Sequence, residues 1–224
     1  MSLWKQSTEV MRVDLVVEQR IGDTFRIVLP FAVVALMIFS LATPASVSNF
    51  GDVGTAVFWG IAILYGMQVA LRTSMSETEQ RKDIAMLLGL DPAARFLGRS
   101  MAAALLLTGF MAVLFVAMVI LFSPDLPQGW ATPTGLTILL AAAGLAMLAT
   151  LAGEVASGLR NRSALASLLI APLAIPLVIG ASQVLESMAG DDGILIWILL
   201  LITTDLALLV AGVGLSRPLE EASR

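Results

Sequence analysis

The chain has 224 residues, of which 58% are hydrophobic and only 13% are charged, and its formal net charge is −4. A soluble domain carries about 25% charged residues and cannot bury this much apolar surface, so the composition excludes an ordinary soluble protein and predicts a membrane protein. The chain has no Cys and no His, which excludes disulfides, thiolate metal sites, and the commonest haem ligand and general base.

The first predicted element is an amphipathic helix over residues 3–25, because apolar side chains recur there at helical spacing while charged side chains lie elsewhere. Two interpretations stand. The helix lies at the membrane interface and also touches a cytoplasmic partner, or it is a plain anchor on the membrane lipid. Its predicted apolar face consists of Leu3, Val10, Val13, Val17 and Ile21.

Six apolar segments follow, and each approaches the length of about 20 residues that a helix needs to cross a bilayer. The first is short and is expected to include Thr24–Arg26 or 42–45 at its ends. No soluble domain fits between the segments, so residues 1–224 are predicted to form a single all-α transmembrane domain with six membrane-spanning helices. The segments are residues 27–41, 53–71, 101–122, 135–156, 164–185 and 194–215.

The charges are sorted by side. All 13 Lys and Arg residues lie in the termini and in the connections on one side of the predicted bundle, and the opposite connections contain none. Because basic residues are retained in the cytoplasm, this side and both termini are predicted to be cytoplasmic. The opposite connections carry acidic residues instead: Asp52, Asp125, Glu186, Asp191 and Asp192.

The longest predicted cytoplasmic connection is residues 72–100. Ser76 and Glu79 have the spacing of a capping box, which predicts a helix over Glu77–Leu90 that stops before Asp91-Pro92. A second helical run leads into the third span. The first helix either docks into a groove on another protein or packs against the bundle's own cytoplasmic face. Its apolar edge consists of Ile84, Leu87 and Leu88.

Two ionisable side chains are predicted to lie within the spans, where such groups are functional candidates. Asp205 falls near the centre of the sixth span, at a cost of about 2.5–3.5 kcal/mol that the many apolar residues offset. It is expected to be protonated or hydrogen-bonded to Gln183 or Gln68, and it serves either a proton or substrate pathway or a helix-to-helix hydrogen bond. Glu154, at the cytoplasmic end of the fourth span, is expected to form an interfacial ion pair with the arginines beyond it.

An intramembrane enzyme or proton-coupled carrier that uses Asp205 and Glu154 is an alternative, although their different depths make a poor acid–base pair. Pro172 and Pro176 remove two helical donors and should kink the fifth span, which either shapes a cavity or is merely structural. Pairs of small residues permit close contact between helices. These pairs are Ala56/Gly60, Ala62/Gly66, Ala142/Ala146 and Ala207/Ala211.

Nucleotide binding by this chain is not predicted. Its lysines are Lys5 and Lys82, and neither follows a glycine-rich turn of the phosphate-binding kind. The arginines lack the interleaved aromatic residues of a nucleic-acid surface. If ATP drives the protein, the ATPase is therefore another chain.

Several stretches carry a family resemblance. Asp14 to Arg20 is similar to a D-L-x-x-E-x-R segment, and Phe96-Leu97-Gly98-Arg99 is similar to the entry of a third span. Arg160–Arg162, followed by Leu168 to Leu177, is similar to a basic turn and an L-P-L-x-I-P-L core. On these residues the chain resembles the CcmB family, the permease subunits of the ABC complex for cytochrome c maturation, of the ABC-2 class.

The resemblance implies an ABC-2 permease bundle in the bacterial inner membrane, paired as a homodimer or heterodimer. It implies a CcmA-like ATPase partner and CcmC- and CcmD-like membrane partners. It also implies that the N-terminal helix and the loop couple the permease to the ATPase. The candidate coupling residues are Asp14, Glu18, Arg20, Glu77, Glu79, Asp83, Ile84, Leu87 and Leu88.

No directly bound cofactor is predicted. ATP would lie on the partner ATPase, and haem is expected on partner proteins, because axial ligation here would need Met or the single tyrosine, Tyr65. An ABC-2 permease for another cargo, such as a drug or a lipid, is the alternative.

Overall fold

The computed structural model describes residues 2–22, 24–44, 50–75, 89–124, 126, 129–156, 162–190 and 193–222. Within these ranges the secondary structure is entirely helical, with seven α-helices and one short π-helical segment, Thr24–Val28. The α-helices are α1 (Leu3–Ile21), α2 (Leu29–Ala42), α3 (Phe50–Met75), α4 (Pro92–Phe122), α5 (Ala131–Ala156), α6 (Arg162–Gly190) and α7 (Ile194–Ala222).

Each of the six predicted apolar segments lies inside helical structure. Five stretches of the described chain are long and apolar enough to cross a membrane: Thr24–Ala42, Phe50–Arg72, Pro92–Phe122, Ala131–Val155 and Ile194–Ser216. The first extends back to Thr24 through the π-helical segment, as expected. In α6 the described apolar stretch, Pro172–Ser187, is shorter. The helix α6 is continuous through both of its internal prolines.

Helix α4 is central to the bundle. It has 31 residues, and at 1.5 Å per residue it is about 46 Å long, against about 30 Å for the hydrocarbon core of a bilayer. It packs against α1, α2, α3, α5 and α7. Because its first nine residues precede the predicted third span, α4 extends beyond the apolar part of the bundle at its N-terminal end.

The contacts between helices fix their directions. Gly54, near the start of α3, faces Phe122 at the end of α4, and Gly66 further along α3 faces Met111 and Leu107. Helices α3 and α4 are therefore antiparallel. We call the end of the bundle at which α3 ends and α4 begins the basic end, and the opposite end the acidic end.

Aromatic rings pack α3, α4 and the start of α5 together near the acidic end. The ring centroids of Phe50 and Phe122 are 5.1 Å apart, and those of Phe58 and Phe115 are 5.5 Å apart. Phe115 also lies 5.6 Å from Trp130, just before α5. Such pairs contribute about 0.5–1.5 kcal/mol each beyond their buried area.

Two of the four predicted pairs of small residues lie in contacts within the chain. Ala62/Gly66 and Ala142/Ala146 are buried in the bundle. Ala56 and Gly60 are exposed, as is Ala207, so the other two pairs do not mediate tight packing among the described residues. Glycines that face a side chain or backbone of another helix at very short range are more informative: Gly54, Gly98, Gly144, Gly180 and Gly212.

Two glycines of α3 provide a matched test of this packing. A Cβ at Gly54 would lie 2.5 Å from the Cβ of Phe122, whereas a Cβ at Gly60 would have nothing within 4 Å. Both Gly→Ala changes gain helix propensity of about 1 kcal/mol, but Gly54→Ala also forces overpacking, which costs about 1–3 kcal/mol. We expect Gly54→Ala to lower the melting temperature in detergent relative to Gly60→Ala. Equal melting temperatures would contradict this packing.

Candidate coupling site at the basic end of helix α4

Helix α1 lies beside the start of α4 and runs in the same direction. The Asp91 N–H donates to Gln6 Oε1 at 3.2 Å, and Asp14 Oδ2 lies 4.0 Å from Arg99 Nε. Both contacts join residues that are 85 positions apart in the sequence. Because the sequence separation of the contacting residues is constant over more than two turns, the two helices are parallel here and do not cross at a steep angle.

This alignment continues to the acidic end. The ring of Phe25 contacts Gly109 of α4, and the Ser40 hydroxyl donates to the Leu121 carbonyl at 3.3 Å, with a sequence separation of 81. The N-terminal segment, from α1 through α2, therefore follows α4 over its whole length.

The start of α4 is fixed from two sides. Asp91 is the N-cap, and its Oδ1 accepts a hydrogen bond from the Ala93 N–H at 3.0 Å. Pro92 occupies the first turn, where its missing N–H costs nothing. The N–H of Asp91 itself is satisfied by Gln6 of α1. The first residues of α4 are consequently held both by their own cap and by α1.

Gly98 permits the close approach of α1 to α4. A Cβ at this position would lie 2.5 Å from the carbonyl oxygen of Ser7 and 2.7 Å from the Cβ of Val10. Ser7 is completely buried, and its hydroxyl donates to the Leu3 carbonyl within α1. Only glycine leaves room for the α1 backbone here, so Gly98 determines the distance between the two helices.

A partly buried ion pair lies one residue further along α4. The Arg99 side chain is 7% exposed and the Asp14 side chain 21% exposed. Water therefore screens this pair less than a surface pair. Removing the carboxylate would leave the Arg99 guanidinium without this compensating charge, which is costly for a buried cation.

A tight turn joins α1 to the first apolar segment. Gly22 adopts the left-handed conformation with φ 69°, and its N–H donates to the Glu18 carbonyl at 2.6 Å. The Glu18 side chain accepts a hydrogen bond from the Thr24 N–H at 3.0 Å, and so satisfies the first donor of the π-helical segment. Glu18 thus connects the end of α1 to the start of the next helix.

The opposite side of α4 is held by the last helix. Phe96 is completely buried and lies against Gly212 of α7, where a Cβ would overlap the ring. A single turn of α4, Phe96–Arg99, therefore contacts α7 on one side and α1 on the other. We call this turn, together with Asp91 and the α1 residues that contact Asp91 and the turn, the coupling site.

The structure brings one predicted coupling residue, Asp14, into this site. Asp14 pairs with Arg99, Glu18 instead accepts a hydrogen bond from the Thr24 N–H beyond the end of α1, and Arg20 is exposed. The other predicted residues fall in 76–88, outside the described residues, and remain predictions: Glu77, Glu79, Asp83, Ile84, Leu87 and Leu88. Sequence reasoning missed Gln6, Ser7 and the role of Gly98.

The face of α1 that packs against α4 overlaps the predicted apolar face only in part, because Val10 lies against Gly98. Val13 is exposed, while Ser7, a polar residue, is buried against α4. The reason is that α4 presents Gly98 and Arg99 here: Gly98 meets Ser7 and Val10, and Arg99 pairs with the acidic Asp14. Leu3, Trp4 and Val16 are exposed, so contact of the outer face with lipid remains a prediction.

Asp205 and Glu154 lie in separate places. Both Asp205 carboxylate oxygens are buried without a hydrogen-bond partner among the described residues, and they lie beside Gly144 of α5. The predicted hydrogen bond is not formed: Gln183 donates to Glu186 at 2.7 Å, and Gln68 is exposed on α3.

Glu154 follows Gly144 by ten residues on α5, a rise of about 15 Å. The two acids therefore share no common site, and the alternative of a paired-acid enzyme or carrier gains no support. Within the described ranges, no group of three or more potential metal-ligating acids occurs.

Several long apolar helices, packed side by side with most of their charged residues near the two ends, define a multi-pass membrane protein. The chain belongs to the CcmB family, because the family model described as CcmB protein matches residues 5–216, nearly the whole chain. This is a family of transmembrane permease subunits of the ABC system for cytochrome c maturation. A search of curated proteins gave no significant match.

Substitution of Gly98 tests the coupling site. Gly98→Ala places a Cβ against the backbone of Ser7, which cannot move aside as a flexible side chain could. We expect α1 to be displaced, so that trypsin cleaves after Lys5, Arg12 and Arg20 several times faster in folded protein. Gly60→Ala, which meets nothing within 4 Å, serves as the control. Unchanged cleavage in Gly98→Ala would refute the close contact.

Proposed function

We propose that the chain is the non-catalytic permease subunit of an ABC complex for cytochrome c maturation, and that a separate ATPase subunit drives it from the basic end. Membership of the CcmB family supports the pathway. The observation that carries the coupling proposal is the position of the coupling site, directly after residues 76–88 and between α1 and α7.

In this proposal the basic end faces the cytoplasm of a bacterial cell, in the inner membrane. Basic residues are retained on the cytoplasmic side during insertion, and the described arginines near this end include Arg72, Arg95 and Arg99. With this orientation residues 76–88 face a cytoplasmic ATPase, and both termini lie on the same side.

A force on residues 76–88 would act first on Asp91 and the first turn of α4. Because Asp91 is bonded to Gln6, and Arg99 is paired with Asp14, α1 would move together with α4. Phe96 in the Gly212 contact would pass the displacement to α7. A rigid helix that contacts five others can carry such a movement across the membrane.

The candidate coupling residues divide into two roles. Asp14 and Glu18 are positioning residues, since each makes a contact that holds α1 or its connection in place. Arg20 is exposed and is available to the ATPase. The residues of the loop would meet the ATPase directly: Glu77, Glu79, Asp83, Ile84, Leu87 and Leu88.

The proposed partners are a CcmA-like ATPase, CcmC- and CcmD-like membrane subunits, and a second permease subunit that completes a homodimer or heterodimer. In this scheme ATP hydrolysis releases a haem-loaded chaperone, and haem is bound by the partner proteins. The absence of His and Cys from the sequence supports this assignment, because these residues are the usual strong axial ligands of haem in proteins.

Replacing residues 77–90 with a Gly/Ser linker of equal length tests the proposal. We expect copurification of the ATPase to be lost, because its docking segment is gone, while membrane insertion persists. The matched control replaces residues 124–129, which connect α4 to α5 at the acidic end, and should leave copurification unchanged. Full ATPase recovery with the first variant would overturn the proposed docking segment.

A further inference from the structure

Asp205 is an acidic side chain that the proposed coupling does not use. The residue is 9% exposed, and both carboxylate oxygens are buried with no hydrogen-bond partner among the described residues. It lies near the middle of α7, at a junction of three helices. Its Oδ1 and the side chain of Leu177 of α6 both occupy the space where a Cβ of Gly144, in α5, would lie.

The surroundings of this carboxyl group are apolar. Leu177, Leu201 and Leu208 are buried on the packed faces of α6 and α7. The neighbouring hydroxyls do not compensate for it, because Thr203 donates to the Leu199 carbonyl and Thr204 donates to the Leu200 carbonyl, both at 2.8 Å.

Among the side chains that the structure describes, the charged groups of the helices packed against α7 lie far from Asp205 along their helices. Glu154 is ten residues beyond Gly144 on α5, and Glu186 is nine residues beyond Leu177 on α6, rises of about 15 and 13 Å. On α4, Arg95 and Arg99 flank Phe96, which meets α7 seven residues beyond Asp205. In sequence, the other charged residues of these helices are Arg162 at the start of α6 and Arg217, Glu220 and Glu221 at the end of α7.

An ionised carboxylate in such a place would be a buried charge without compensation. That costs far more than the group gains by ionising, and buried acids of this kind are neutralised instead. We propose that Asp205 is a proton-binding site in the middle of the membrane, which holds a proton while α7 packs against α5 and α6 and releases it when these helices separate. The step adds one proton from water to a carboxylate oxygen and transfers no electrons.

The geometry also selects the proton over a metal cation. A sodium, calcium or magnesium ion needs several oxygen ligands at about 2–2.6 Å, and this junction supplies one carboxylate, a glycine and a leucine. Oδ1 already approaches Gly144 so closely that a Cβ would overlap it. A proton is the one cation that needs no additional space.

Infrared difference spectroscopy of the purified chain in lipid at neutral pH tests the proposal. The spectrum of the wild type minus that of Asp205→Asn should contain the carbonyl band of a protonated carboxylic acid, and the band should shift in heavy water. Asn preserves the size and the neutral state of the side chain, so packing should persist. Glu154→Gln and Glu186→Gln are the matched controls. Each should retain the band of Asp205, so the spectrum of either control minus that of Asp205→Asn should still contain it. A carboxylate band in its place would overturn the proposal.

If Asp205→Asn does not accumulate, chemical labelling of the wild type tests whether Asp205 is protonated. Dicyclohexylcarbodiimide reacts with protonated carboxyl groups in apolar surroundings: the carboxyl oxygen bonds to the carbodiimide carbon, and the proton passes to a nitrogen. Peptide mapping of the labelled wild type should locate the adduct on Asp205. Labelling confined to other acids would overturn the proposal.

The pH dependence of the melting temperature is a third test of the proposal. Because the packed state needs the proton, raising the pH should lower the melting temperature of the wild type more than that of Asp205→Asn. Gly144→Ala, which displaces the carboxyl group, should remove much of this pH dependence, whereas Gly214→Ala, with nothing within 4 Å, should keep it. Parallel pH profiles for all four proteins would count against a proton held at this junction.

Discussion

The contact between α1 and the start of α4 is the constraint on which the coupling site depends. Two polar contacts with the same sequence separation, Gln6 with Asp91 and Asp14 with Arg99, align the helices, and the absence of a side chain at Gly98 lets them approach closely. Each contact alone is modest. Together they make the N-terminal helix an extension of the central helix of the bundle, and α2 follows α4 in nearly the same alignment up to Ser40.

The close contacts between the other helices have a physical reason in the membrane environment. Lipid is as apolar as leucine, so helices in a membrane gain little from burying apolar surface against each other and depend on close van der Waals packing. Glycines supply that closeness at Gly54, Gly144 and Gly212, where each meets a side chain of another helix. Phe96 and Gly212 join α7 to the turn of α4 that α1 also contacts, so this one turn contacts the first and the last described helix of the chain.

Much of the fold could be predicted from the sequence, because the signals are local. Apolar segments of membrane length and the sorting of basic residues each depend on neighbouring residues, and helices occupy all six segments. The coupling site could be predicted only in part. A family motif pointed to Asp14 and Glu18, whose coupling role stays a prediction, but the alignment of α1 with α4 is a long-range property that no local pattern contains. The packed face of α1 includes polar Ser7 beside Val10, so apolar periodicity marks it only in part. The surroundings of Asp205 are also a long-range property: its predicted amide partners proved to be bonded elsewhere or exposed.

The alignment of α1 with α4 can be measured by cross-linking in a chain that has no native cysteine. A short bifunctional thiol reagent is applied to Gln6→Cys/Asp91→Cys and to Gln6→Cys/Arg99→Cys, each with a protease site inserted between residues 76 and 88. The two pairs differ by eight residues along α4, or about 12 Å. We expect that after cleavage the fragments of the first pair remain joined and those of the second separate. Equal linking of both pairs, or linking of the second pair alone, would contradict the parallel alignment.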